Sequence, residues 1–230
     1  MPSIKNNKKM RNAVSSPTLT NKVMEMIRQD ILLGELAPGQ KLVVADLKAR
    51  YDVGASPIRE ALVQLSWKKY VNFAPQKGCW VTPVSIAELE ELFETSQLLS
   101  QALLERAMKN GDEAWELNIL TSFHKLSRIN PAAIDVDFNE WEKRHSDFHL
   151  ALLEGSQSTV MLGLYREVYE QIERYRHIWV SRTRHYEERY HDNGEHEAMM
   201  KAVLNRNHEA AQTLLSTHSQ RAMEMIKIYL

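Results

Sequence analysis

Apolar residues recur at helical spacing along most of this chain, and only in two short stretches near the end of its first third do they sit in strand-like runs between turn residues. After Thr18 or Thr20 as N-cap, Val23, Ile27 and Ile31 lie on one helical face, and Gly34 with Ala37-Pro38-Gly39 stops the pattern. A short second helix is predicted over Asp46 to Tyr51. Ser56 before Pro57 reads as an N-cap with proline at the first helical position, and Ile58, Ala61, Leu62 and Leu65 form the stripe of a third helix. Tyr70 to Ala74 and Cys79 to Thr82 read as two strands of a hairpin around Pro75-Gln76-Lys77-Gly78. Beyond Pro83 the strand signals cease. A long helix from about Ser85 to Lys109 carries Leu89, Leu92, Phe93, Leu99 and Leu103 and ends at Asn110-Gly111; further helices are predicted at about 113–129, 138–154, 158–185, 193–204 and 208–228. Six helices of such lengths imply an antiparallel bundle. The expected fold is therefore mainly α: three helices with a small β-hairpin, then an all-helical bundle.

Composition excludes several classes. With 230 residues, 43% hydrophobic and 26% charged, the chain has the balance of a globular protein. It holds no run of about 18 apolar residues to span a membrane, and no apolar segment follows the charges of its first residues as a secretory signal would require. One cysteine, Cys79, rules out an internal disulfide, so a cytoplasmic location and no membrane partner are expected. The net charge of -1 hides a division: residues 1–83 hold thirteen Lys and Arg against six Asp and Glu, net +7, leaving sixteen against twenty-four, net -8, for residues 84–230. Three units are predicted: a basic flexible tail at 1–16, a basic module at 17–83 that suits a polyanion, and an acidic bundle at 84–230.

Three helices, the third capped and short, followed by a hairpin with a basic tip, give the order of a winged helix-turn-helix. Its third helix fits the major groove of double-stranded DNA, and its hairpin tracks the backbone. Arg59 lies in the first turn of that helix, off the apolar stripe with Gln64, while Lys48, Arg50, Lys68, Lys69 and Lys77 suit phosphate contacts. In the bundle, His145 and His149 are four apart on one helix, and His196 and His218 lie on helices that turn back at Asn205-Arg206-Asn207. Four imidazoles can thus converge on a divalent transition ion, zinc or nickel by donor type. A histidine taken alone is more often an ordinary core or surface residue than a ligand. Glu142-x-x-His145 and Glu188-x-x-His191 also fit the spacing of a di-iron carboxylate oxidase, which leaves the DNA-binding pattern unexplained. No His-Glu-x-x-His element or nucleophile motif is present.

Ile31-x-x-Gly34-x-Leu36-x-Pro38-Gly39-x-x-Leu42, then Leu47, Val53 and Pro57-Ile58-Arg59-Glu60-Ala61-Leu62-x-x-Leu65, resembles the GntR family of bacterial transcription regulators. The resemblance assigns recognition to Ser56, Pro57, Arg59 and Gln64, and the wing tip to Gln76, Lys77 and Gly78. Ala45 and Ala55 stand where the family favours basic residues. His145-x-x-Phe148-His149, Glu195-His196-x-x-Met199 and His218 are similar to the FCD effector domain of the family's FadR-type branch. There an Asp or Asn and three histidines hold a metal; His149, His196 and His218 match the three, with His145 in the acidic position. Ser96 and Ser100 fall where many relatives place an arginine and a glutamate facing the effector, so Arg174 or Arg176 is the expected anchor for a small carboxylate, with Ser96 beside it. The resemblance implies a homodimer acting as a ligand-responsive repressor, against a constitutive regulator whose bundle only dimerises.

Overall fold

In the computed structural model, residues 18–74, 76–130, 133, 137–182 and 194–230 are described. Helix α1 (Leu19–Leu32) begins where the Thr18 side chain accepts the Asn21 N–H at 3.2 Å, and it ends before Gly34 at φ +78°. Strand β1 (Lys41–Leu42) follows, then α2 (Val44–Tyr51), which the left-handed Asp52 terminates, then α3 (Ala55–Trp67). Ser56 is not the cap of α3. Gly54 holds that position, and Pro57 sits in the first turn, where its missing N–H has no helical acceptor to lose. Strands β2 (Val71–Ala74) and β3 (Gly78–Val81) form the hairpin, with Val71 opposite Val81 and Ala74 opposite Gly78. The wing has a third strand that periodicity cannot reveal in two residues: β1 pairs with β3, Lys41 opposite Trp80, giving the order β1-β3-β2. Pro75, residues 1–17 and residues 183–193 fall outside the described residues, and with them the predicted tail and Glu188 and His191.

Among the described residues six helices follow: α4 (Ile86–Asn110), α5 (Glu113–Ser127), α6 (Phe138–Glu154), α7 (Thr159–Arg182), α8 (Glu195–Leu204) and α9 (His208–Lys227). Side-chain caps start four of them: Ser85 for α4, Asp112 for α5, Asp137 for α6 and Asn207 for α9. Helix α4 packs on α7 and α9, α5 on α6, and α8 on α9. Trp115 pins α5 to the end of α6. Its indole N–H donates to the Ala151 carbonyl at 2.8 Å, and a Cβ at Gly111 or Gly155 would meet its ring at 2.0 or 2.8 Å.

The core is divided. Val23, Ile27, Leu47, Ile58, Leu62, Leu65, Val71 and Val81 close the N-terminal unit. In the bundle, one cluster gathers Leu103, Trp115, Phe148, Leu152, Tyr165 and Met199, and a second gathers Leu89, Phe93, Ile172, Tyr175, Trp179 and Met223. Where these two meet, the interior becomes polar.

Candidate metal centre and nucleic-acid interface

Helix α6 carries His145 and His149 on adjacent turns of its buried face, α8 supplies His196 and α9 supplies His218. All four are at most 4% exposed, and one ligand atom from each lies within 4.8 Å of the others. The Nε2 atoms of His145 and His149 are 3.1 Å apart. Zinc–nitrogen bonds of about 2.0–2.1 Å require tetrahedral donors roughly 3.3 Å apart, so these imidazoles need close by at most about 1.5 Å to hold an ion. Two of the rings are aimed from behind. Tyr169 Oη lies 3.1 Å from His145 Nδ1, and His218 Nδ1 donates to Glu195 Oε2 at 2.8 Å, with Arg221 on the other Glu195 oxygen at 2.6 Å. Such outer partners fix ring orientation and raise ligand basicity. Burial, followed by the neighbouring histidines and Arg176, pushes His145 and His149 well below their ordinary pKa, and burial lowers His218 despite Glu195. Neutral imidazoles are what a metal requires.

Beside the histidines lies a small chamber of about 30 Å³, walled by Phe93, Ser96, Trp141, Tyr165, Trp179 and Arg176. Ser96 is buried there and bonds Tyr165. Arg176, 5% exposed, donates through Nε to both oxygens of Glu142 at 2.9 and 3.1 Å and through Nη2 to one of them, while its guanidinium stands 4.4 Å from the Tyr169 ring. Arg174 does not line this chamber; its Nη2 reaches Glu88 on α4 at 3.4 Å, because two residues along a helix rotate a side chain to another face. Glu142, which sequence spacing offered as an iron ligand, faces Arg176 instead. On the far side of Arg176 and Tyr169 opens a cleft of about 450 Å³, lined also by Glu142, Lys143, Arg166, Glu173 and Arg28.

That cleft reaches the N-terminal unit. Glu173 on α7 accepts from Arg28 on α1 at 3.2 Å and from the Tyr70 hydroxyl at 2.9 Å, and Lys68 pairs with Glu170 at 2.8 Å. Tyr169, Glu173 and Arg176 are spaced at i, i+4 and i+7, so α7 touches both the histidine centre and this seam. No local signal marks Tyr169, Glu195 or Tyr70 for these roles, because each partner lies at least 23 residues away on another element.

On the surface of the N-terminal unit, Arg59 is exposed in the first turns of α3, with Ser56 exposed and Pro57 and Gln64 half-buried. Glu60 ties this face to α1, accepting from Thr20 at 2.9 Å and from Ser56 at 3.1 Å. Lys48 is exposed, as are Gln76, Lys77 and Gly78 at the wing tip, where Gln76 and Gly78 adopt φ +60° and +123°. Arg50 is exposed too, and its guanidinium pairs with Asp30 at 2.5 Å and Glu35 at 3.6 Å within the unit. Trp67, 76% exposed at the end of α3, drew no attention in the sequence.

Comparison with known proteins finds two matching families. Residues 19–81 match "Bacterial regulatory proteins, gntR family", and residues 91–221 match the FCD domain. The chain is 32% identical over 194 residues to the HTH-type transcriptional repressor GlaR of Escherichia coli K12, covering 84% of this chain and 88% of that protein. It is 32% identical over 213 residues to the uncharacterized HTH-type transcriptional regulator BphR of Paraburkholderia xenovorans LB400, covering 91% and 86%. Among solved structures, E. coli McbR/YncC superposes with a TM-score of 0.71 at 18% identity, over 92% of this chain and 98% of that one. A GntR-type regulator from Rhodococcus sp. RHA1 gives 0.69 at 22% identity, over 92% and 98%. At those identities the structures speak for the fold.

Proposed function

Because the chain belongs to the gntR family of bacterial regulatory proteins and carries an FCD domain, it is a DNA-binding transcriptional regulator and not an enzyme, and we propose that it is a homodimeric repressor whose operator affinity responds to a small carboxylate bound near a histidine-held metal. The observation that carries this reading is the convergence of four buried imidazoles from three helices. Four such side chains with no ion to share are a poor core, since each has polar nitrogens to satisfy away from water. His145, His149, His196 and His218 would hold zinc or nickel, and the ion would supply positive charge toward a carboxylate. With four neutral ligands the ion's charge is left for an outside anion to balance. Residues 17–83 bind DNA in this reading and residues 84–230 sense and dimerise, in the cytoplasm. Arg59, Ser56, Pro57 and Gln64 face base edges in the major groove, and Lys48 and the wing residues Gln76, Lys77 and Gly78 meet the backbone.

Regulation needs a ligand that favours one arrangement of the two units over another. Helix α7 supports such a route, because it contacts the histidine centre through Tyr169 and the DNA-binding unit through Glu173. A coupling of about 1–3 kcal/mol would shift operator affinity roughly 5- to 150-fold. The rival, a bundle that only dimerises, predicts operator affinity indifferent to metal and acid. His149→Ala separates the two: metal content, read by elemental analysis, and the acid response of operator binding should fall together. Unchanged metal content removes His149 from the centre.

A further inference from the structure

The bundle interior already contains a carboxylate. Glu142 is 3% exposed and grips Arg176 through two donors, forming a bidentate pair with the geometry that a free carboxylic acid would adopt on a guanidinium. A buried ion pair of this kind is weak evidence for stability, since desolvating both charges offsets most of their attraction. Its position is more informative. Arg176 and Tyr169 form the partition between the histidine chamber and the cleft, and Glu142 lines the cleft. The chamber, at about 30 Å³, has room for a water or two, whereas the cleft, at about 450 Å³, has room for an acid of several carbons.

We propose that Arg176 is the anchor for the effector carboxylate and that Glu142 is its built-in competitor, released from the guanidinium when the acid arrives through the cleft. Exchanging one carboxylate for another on the same guanidinium leaves no buried charge unpaired, so the exchange avoids the large cost of simply opening the pair. Burial pushes the Glu142 carboxyl up from its ordinary range while Arg176 pulls it back, and Glu142 in turn holds the guanidinium protonated. The exchange has consequences on both sides. Arg176 stacks on Tyr169, which bonds the His145 ring, and it lies three residues from Glu173, the acceptor for Arg28 and Tyr70. Arg174, held by Glu88 and outside both cavities, has no part in it.

The proposal rests on the carboxylate reading above, and isothermal titration separates the two. The full chain loaded with zinc is titrated with unbranched mono- and dicarboxylates of two to six carbons. If an acid binds, its affinity is the wild-type one reduced by the fraction of Arg176 that Glu142 occupies, so Glu142→Gln should lower its Kd about tenfold or more. The double variant Glu142→Gln with Arg176→Met, which has no buried charge at the pair, should keep its zinc and lose the acid. Acid that binds wild type and Glu142→Gln equally, or binds the double variant, overturns the proposal while sparing the carboxylate reading. Acid that binds none of the three proteins overturns both. Should Glu142→Gln fail to fold alone, refolding on addition of acid supports the competition, and failure of every acid to restore it counts against.

Discussion

The N-terminal unit and the bundle treat their interiors in opposite ways. The unit closes on aliphatic residues such as Val23, Ile27, Ile58, Leu62 and Leu65, and among the described residues no charged side chain or histidine within it is buried. The DNA contacts proposed for it, Arg59 on α3 and Lys77 on the wing, stand in solvent. The bundle buries Glu142, His145, His149, Arg174, Arg176, His177, His196 and His218. A surface function leaves stability nearly free of chemistry, whereas a function built into the core ties the two together.

The largest effect should come from breaking the bundle's internal pair on one side. Arg176→Met leaves Glu142 buried without its cation and should cost about 3–5 kcal/mol in urea unfolding, most of it recovered when Glu142→Gln is added. A cost under about 1 kcal/mol would erase the contrast between the regions. On the other side, Arg59→Ala should leave unfolding within about 0.5 kcal/mol of wild type yet remove about 1–3 kcal/mol of specific operator binding. Operator sites selected from random duplex DNA supply the probe; unchanged base preference would take Arg59 off the recognition face.

A third test concerns pH. Burial, then Arg176 and Arg28, holds His177 down at about 3, its Nε2 3.9 Å from Glu173, with no hydrogen-bond partner among the described residues. An unfolded histidine takes up its proton near pH 6.5, so between about 6.5 and 3 the unfolded chain binds a proton that the folded one refuses. Stability therefore falls as pH drops through that window, by about 1.4 kcal/mol per pH unit for one site. In chelator, His177→Leu should shallow the slope of stability against pH by about one proton, and an unchanged slope would mean that His177 titrates in the native state. The smallest effect is expected from Lys77→Ala, which should reduce the salt slope of DNA binding by about one and weaken all sequences alike.

Helix order and the wing were legible because each rests on local signals. The stripe Ile58, Ala61, Leu62 and Leu65 is spaced for a helix, and Pro75-Gln76-Lys77-Gly78 places turn residues between two strand-like runs. The four histidines were legible as a possibility, since i, i+4 spacing on α6 is local, although their meeting is not. Three things escaped local reading. Gly54, rather than Ser56, starts α3. Strand β1 is recognisable only through its partner β3. Arg50 and Arg174, both plausible ligand contacts from their charge, are held by Asp30 and Glu88, which lie 20 and 86 residues away in the chain.

By itself, then, the sequence determined which segments are helix and wing, where charge changes sign, and which side chains are candidates for contact with DNA and metal. These follow from periodicity, turn chemistry and residue type, which act over a few neighbours. Tertiary structure alone decided that Tyr169 and Glu195 aim the histidine rings, that Glu142 and Arg176 occupy each other, and that Glu173 joins α7 to Arg28 and Tyr70. A charged or hydrogen-bonding side chain has several chemically acceptable partners, and only packing of distant helices chooses among them.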